Sequence, residues 1–160
     1  MSSFIATAES AIRASPADAA PVTNDGWFPD IDLADLRKAM RLDGTVTHER
    51  LQHAARDAML TVNGELAAWR ARKCATGFAS LADVPAERIG GESGLVLRYR
   101  RAVYHLVHAD VTEKYRGFDA TKSGGQVAAE LSATVDESRR NARWAISDLL
   151  GLSRSTVELI

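Results

Sequence analysis

The chain has 160 residues, of which 46% are hydrophobic and 26% charged, enough for one domain with a real core and some chain left for tails. Its formal net charge of −1 gives no general attraction to nucleic acid or anionic membrane, so either role would need a local patch. The single Cys74 excludes an intrachain disulfide and a cysteine zinc site, and no apolar run approaches the roughly 20 residues of a membrane span. The start lacks a secretory pattern, so a soluble protein made in a cytoplasm is expected.

Residues Met1 to Thr23 are rich in Ala, Ser and Thr, with Pro16 and Pro21 and few apolar side chains. Such a stretch buries too little to offset its ordering entropy, so a mobile arm is expected over residues 1–26. Trp27-Phe28-Pro29 follows and would either pin that arm to the fold or reach a neighbouring subunit. Asp32 suits the N-cap of a helix whose Leu33, Leu36 and Met40 share a face, ending near Asp43-Gly44. Thr47 would cap a second helix running to about Thr76 and stopping at Gly77. Its Leu51, Ala55, Ala58, Met59, Val62, Leu66 and Trp69 form one stripe along roughly 45 Å, with Asn63-Gly64 a place for a bend. A loop from Phe78 to Ser93 is broken by Pro85 and Gly90-Gly91.

The third helix, about Gly94 to Arg116, is apolar over most of its surface. Arg98, Arg101, His105, His108 and Thr112 fall in one narrow polar stripe. Leu95, Val96, Tyr99, Ala102, Val103, Leu106, Val107 and Val111 fill the remaining arc. A helix so covered is either the centre of its bundle or touches another subunit. After a second loop around Gly117 to Gly125, a last helix from about Gln126 to Leu150 puts Val127, Leu131, Val135, Ala142, Ile146 and Leu149 on one side. The fold class expected is all-α: a bundle of about four helices over residues 27–151, with an extended C-terminal tail at 152–160.

No catalytic motif is present: there is no phosphate-binding glycine loop, nucleophile elbow or zinc-protease pattern, so no enzyme activity, cofactor or metal is expected. His105 and His108 are three apart and would share a face as metal ligands, but Arg98 and Arg101 beside them oppose a cation. Cys74, near Arg72 and Lys73, sits at a helix C-terminus that works against a thiolate. Arg139, Arg140 and Arg143 follow Asp136 and Glu137, and Asp136 to Arg140 has the spacing of a helix-supporting ion pair. Arg98-Tyr99-Arg100-Arg101 mixes base with aromatic, as in nucleic-acid binders, although Tyr99 belongs to the apolar arc. A small helical DNA-binding regulator is therefore the alternative to a structural protein, but no compact helix-turn-helix spacing appears.

Three features point outward. Trp144 lies opposite the apolar side of the last helix, beside Arg140; this pairing either has the character of an interface anchor or packs under the loop from Phe78 to Ser93. Val157, Leu159 and Ile160 make an apolar chain end, which is stable only if docked, either on its own bundle or in a partner groove. The third is Trp27-Phe28.

Four blocks of sequence carry a family resemblance. They are Trp27-Phe28-Pro29-Asp30-Ile31-Asp32 running into Leu36 to Leu42, then Gly77 to Ala86 with Gly91-Glu92-Ser93, then Glu113 to Thr121, then Asp136 to Ala145. Together they resemble the head completion and stabilisation proteins of P2-like tailed phages, over roughly Trp27 to Ile160. The residues before Asn24, Gly124-Gly125 and the region of Ser155-Thr156 depart from that pattern.

The resemblance implies an adaptor of the head-tail connector, assembled in the host cytoplasm and carried in the virion. It would form a dodecameric ring of copies under the portal protein. It would retain packaged DNA, which passes its channel without sequence-specific binding, and offer a platform to the next connector (tail-completion) protein and the tail. By position, Leu152, Val157, Leu159 and Ile160 would bind the portal. Subunit or partner contacts are expected at Trp27, Phe28, Phe78, Arg98, Arg101, Arg140 and Trp144. The loops Phe78 to Ser93 and Gly117 to Gly125 are candidates for ring contacts or the tail-side surface.

Overall fold

A computed structural model describes residues 20–119 and 125–153. Among these residues four helices carry the fold: α1 (Leu33–Ala39), α2 (His48–Ala75), α3 (Gly94–Asp119) and α4 (Gly125–Leu150). A single 3-10 turn (Leu81–Asp83) and a two-stranded hairpin, β1 (Arg88–Ile89) with β2 (Glu92–Ser93), lie between α2 and α3. Among the described residues the protein is all-α apart from this hairpin and one isolated β-bridge, Val22 with Ile31.

Local chemistry sets the helix ends. The Asp32 carboxylate accepts from the N–H groups of Ala34 and Asp35, satisfying two free donors at the start of α1, and Thr47 accepts from Arg50 N–H at the start of α2. Three helices end alike, with a left-handed residue followed by a pair of reaching-back hydrogen bonds. After α2 that residue is Gly77 (φ 95°): its N–H donates to Cys74 O and the Phe78 N–H to Lys73 O. After α4 it is Gly151 (φ 72°), with Gly151 N–H donating to Asp148 O and Leu152 N–H to Ser147 O. After α1 the same place is taken by Arg41 (φ 53°), a side-chain-bearing residue in a region that favours glycine.

α3 is the centre. It packs on α2 and most extensively on α4, and it also touches the hairpin and the 3-10 turn. Leu51, Ala55, Ala58, Met59, Val62, Leu66 and Trp69 of α2 face Leu95, Val96, Tyr99, Ala102, Val103 and Val107 of α3 within one buried cluster. Of α4, Val135, Ala142, Ala145, Ile146 and Leu149 are buried. Fully burying a large aliphatic side chain is worth roughly 1.5–3 kcal/mol, so these stripes are the main stabilising term.

Several sequence-based expectations change. The arm expected over residues 1–26 loses its end to the fold: Val22 is buried and forms a two-bond bridge with Ile31, its N–H donating to Ile31 O and its carbonyl accepting from Ile31 N–H. Residues 22–31 thus make a strap across α2 and α3; residues 1–19 lie outside the described residues. Helix α2 is continuous through Asn63-Gly64. α3 continues past Arg116 through Gly117-Phe118 to Asp119, because a single helical glycine is tolerated where neighbouring turns persist.

Of the polar stripe of α3, only Arg101 is fully exposed. His105, His108 and Thr112 are half-buried, with His108 bonded to Ser138 of α4. The apolar surplus of α3 is likewise spent inside the chain: among the described residues only Leu60, Ile89 and Leu152 are large hydrophobics left exposed.

Candidate functional site

The strap is fixed by polar and aromatic contacts together. The Asp25 carboxylate accepts from the N–H groups of Trp27 and Phe28 through Oδ1 and from the Arg70 guanidinium through Oδ2. Trp27 meets Phe28 edge-on at 4.8 Å between ring centroids and Trp69 at 5.9 Å, while Phe28 stacks on Tyr99 at 4.9 Å. Arg70 lies 5.5 Å from both the Trp27 and the Phe28 ring centres, so its charge serves a carboxylate and two aromatic faces at once. The Trp27 indole N–H donates to the Phe78 carbonyl at 3.2 Å, and Phe78 itself is half-buried against the core. Trp27, Phe28 and Phe78, expected as partner contacts, therefore spend most of their surface within this chain, the first two being 5% and 3% exposed. Of the two roles open to Trp27-Phe28, pinning the chain to the bundle is the one their packing serves.

The hairpin is clamped to α3 by two ion pairs. Arg98 reaches Glu87 at 2.6 Å, and Arg100 holds both carboxylate oxygens of Glu92, at 2.7 and 2.9 Å. Gly90 and Gly91 take φ values of 60° and 82°, the backbone of a two-residue turn, and carry Ile89 out to solvent at 64% exposure. Arg98 is thus engaged within the chain, whereas Arg101 is exposed.

On α4, Arg139 crosses to Glu113 of α3 at 2.5 Å. The Arg140 guanidinium lies 5.1 Å from the Trp144 ring centre, so the two residues expected as an interface anchor do stand together, Trp144 half-buried and Arg140 exposed. Leu152, just beyond the Gly151 cap, is 58% exposed; Val157, Leu159 and Ile160 lie outside the described residues.

Among the described residues no three His, Cys, Asp or Glu side chains gather into a metal-binding set, and no helix is long and apolar enough to cross a membrane. The clefts are open and shallow. One, of about 370 Å³, lies between the strap and α2 and is lined by Val22, Asn24, Asp25, Arg56, Met59, Leu60 and Asn63.

What the sequence did not disclose is the polar ring of Asn24, Asn63 and Tyr99. Asn63 had been legible only as half of an Asn-Gly pair in the middle of α2. The usable signal was an amide on the flank of the buried stripe, four residues on from Met59, where a half-buried side chain demands a hydrogen-bonding partner.

These features define a helical scaffold whose ion pairs, caps and aromatic contacts hold its elements together. The chain belongs to the phage head completion protein (GPL) family, whose model matches residues 22–160. The match starts at Val22, where the strap joins the fold. A head completion/stabilization protein of Escherichia phage P2 is 43% identical over 146 residues, covering 91% of this chain and 86% of that protein. No solved structure matches. Its role is accordingly structural, in completing the phage head, and it is a virion component. That role replaces the alternative of a DNA-binding regulator.

Proposed function

We propose that the chain is the adaptor that binds the portal protein once DNA is packaged. It retains the packaged DNA and forms the platform for the next connector protein and the tail. Copies of the chain assemble as a ring beneath the portal, and residues 152–160 are the portal anchor. One observation carries this reading: the family match runs through the whole described fold and on to Ile160, so the tail belongs to the head-completion unit.

The geometry at the end of α4 supports it. The Gly151 cap fixes the direction in which the chain leaves the helix, and Leu152 emerges exposed rather than folded back. The sequence beyond ends in Val157, Leu159 and Ile160, three apolar residues suited to a greasy groove. Arg140 over Trp144 is the proposed lateral contact, since aromatic and arginine side chains dominate binding hot spots. Each contact in a ring needs only modest affinity, because many repeats act together through effective concentration. A net charge of −1 also suits a DNA channel, where strong phosphate attraction would hinder passage.

The decisive experiment removes residues 152–160 and measures binding to purified portal together with far-ultraviolet circular dichroism. Helicity should be kept and portal binding lost. A truncated chain that binds portal normally overturns the anchor assignment.

A further inference from the structure

Helix α4 leans mainly on α3 and meets α2 far less. The aromatic cluster of Trp27, Phe28, Trp69 and Tyr99 ties the strap, α2 and α3 together without it. The α3–α4 seam, by contrast, contains two imidazoles one turn apart. His108 Nδ1 pairs with the Ser138 hydroxyl at 2.8 Å, and Ser138 is buried. His105 Nδ1 is buried with no hydrogen-bonding partner.

A proton added at His105 Nδ1 would be a charged donor with nothing to accept it, in a place water does not reach while the seam is shut. The charged groups around His105 do not repair this. Arg101 and His108 on α3 oppose a further positive charge, and Glu137 on α4 favours it. Arg139 and Glu113, the other charges spanning the seam, already neutralise each other. Burial, then Arg101 and His108, hold the His105 imidazole below its ordinary value despite Glu137, and burial does the same at His108.

We propose that the α3–α4 seam is an acid-sensitive latch: proton uptake by His105 and His108 swings α4 away from α3 while the strap, α2 and α3 stay folded. Opening completes the hydration of both half-buried rings and gives the His105 Nδ1 proton an acceptor. The sign follows from linkage. Both rings bind protons less readily when the seam is shut, so closure is fully favoured above the ordinary imidazole value and weakens as pH falls below it. Because two rings act, the response is steeper than a single titration.

The test places spin labels on α2 at the native, exposed Cys74 and on α4 at Arg143→Cys, and follows their separation from about pH 7.5 to about pH 5, either side of the ordinary imidazole value. The expected result is a narrow distance distribution at the higher pH that becomes broader and longer at the lower. Near-ultraviolet dichroism from the aromatic cluster should remain. A His105→Gln/His108→Gln variant, polar but unable to charge, should keep the narrow distribution throughout.

An unchanged distance in the parent protein overturns the proposal. So does opening of the double variant at the same pH, or loss of the aromatic signal together with α4. Should the variant fail to fold, imidazole titration of the parent protein by nuclear magnetic resonance still decides: apparent values at or above the ordinary one sink the latch.

Discussion

Tyr99 donates its phenolic hydrogen to Asn63 Oδ1 at 2.7 Å, joining the first third of α3 to the middle of α2. Asn63 Nδ2 donates onward to Asn24 Oδ1, and Asn24 Nδ2 donates back to the Tyr99 oxygen, both at 2.9 Å. Three side chains from three segments thus close a ring of hydrogen bonds under the stacked Phe28. Burial pushes the Tyr99 phenol well above its usual range, so it remains a donor at any pH the protein meets.

Removing one member strands the other two. Tyr99→Phe keeps the stack on Phe28 but leaves the Asn63 carbonyl and one Asn24 amide hydrogen unsatisfied, an expected cost of about 1–3 kcal/mol. Asn63→Ala should cost a similar amount, and the double variant clearly less than the sum. Urea unfolding of the three proteins measures the coupling. Additive losses would mean that the ring does not act as a unit.

Trp27 is the centre of the strap, touching Phe28, Trp69, Arg70 and the Phe78 carbonyl. Trp27→Ala should lower stability by about 3–5 kcal/mol, as for other buried large aromatics. Trp27→Phe retains part of the packing and loses the indole bond to Phe78, so its loss should be smaller. Chemical denaturation of both variants orders the two effects, and an alanine variant as stable as the parent would refute the pinning role of the strap.

Much of this was legible in the residues, and the limits have physical causes. The caps Asp32 and Thr47, the stop at Gly77 and the buried stripe of α2 follow from side-chain chemistry within one turn, so the sequence shows them directly. The strap was missed because residues 22–26 look polar and proline-bounded; only distant partners, Ile31, Asn63, Arg70 and Tyr99, give them a place. The polar stripe of α3 was seen correctly as a stripe, but periodicity cannot say what a face meets. At His108 it meets α4 through Ser138, whereas Arg98 turns to Glu87 and Arg101 to solvent. The Arg140–Trp144 contact was legible because both residues lie on one helix four apart, whereas the Arg98–Glu87 and Arg100–Glu92 clamps join separate elements and left no local trace.

Gly64 lies inside α2, is exposed, and a Cβ built on it meets no atom within 4 Å. It bears no structural duty in the folded chain, and its flexibility in the unfolded chain is a cost. Gly64→Ala should therefore stabilise the protein by about 0.5–1 kcal/mol, read as a higher denaturation midpoint with an unchanged slope. A destabilised variant would mean that another copy or partner approaches the backbone there.

Asp25 supplies the final prediction. Burial acts to raise its carboxyl, but the N–H groups of Phe28 and Trp27 and the Arg70 guanidinium outweigh that and hold it below its ordinary value of 3.8. A depressed carboxyl stabilises the folded state above the unfolded value, and that contribution is lost as pH falls through the folded one. The strap should thus loosen only in strong acid, under about pH 4, far from the imidazole range in which α4 is proposed to open. Asp25→Asn preserves the Oδ1 acceptor for both backbone bonds and removes the charge facing Arg70. It should be less stable than the parent at neutral pH, with a shallower loss below about pH 4. Thermal melts across pH, monitored by tryptophan fluorescence, test this: parallel acid limbs for the two proteins would show that Asp25 does not hold the strap through its charge.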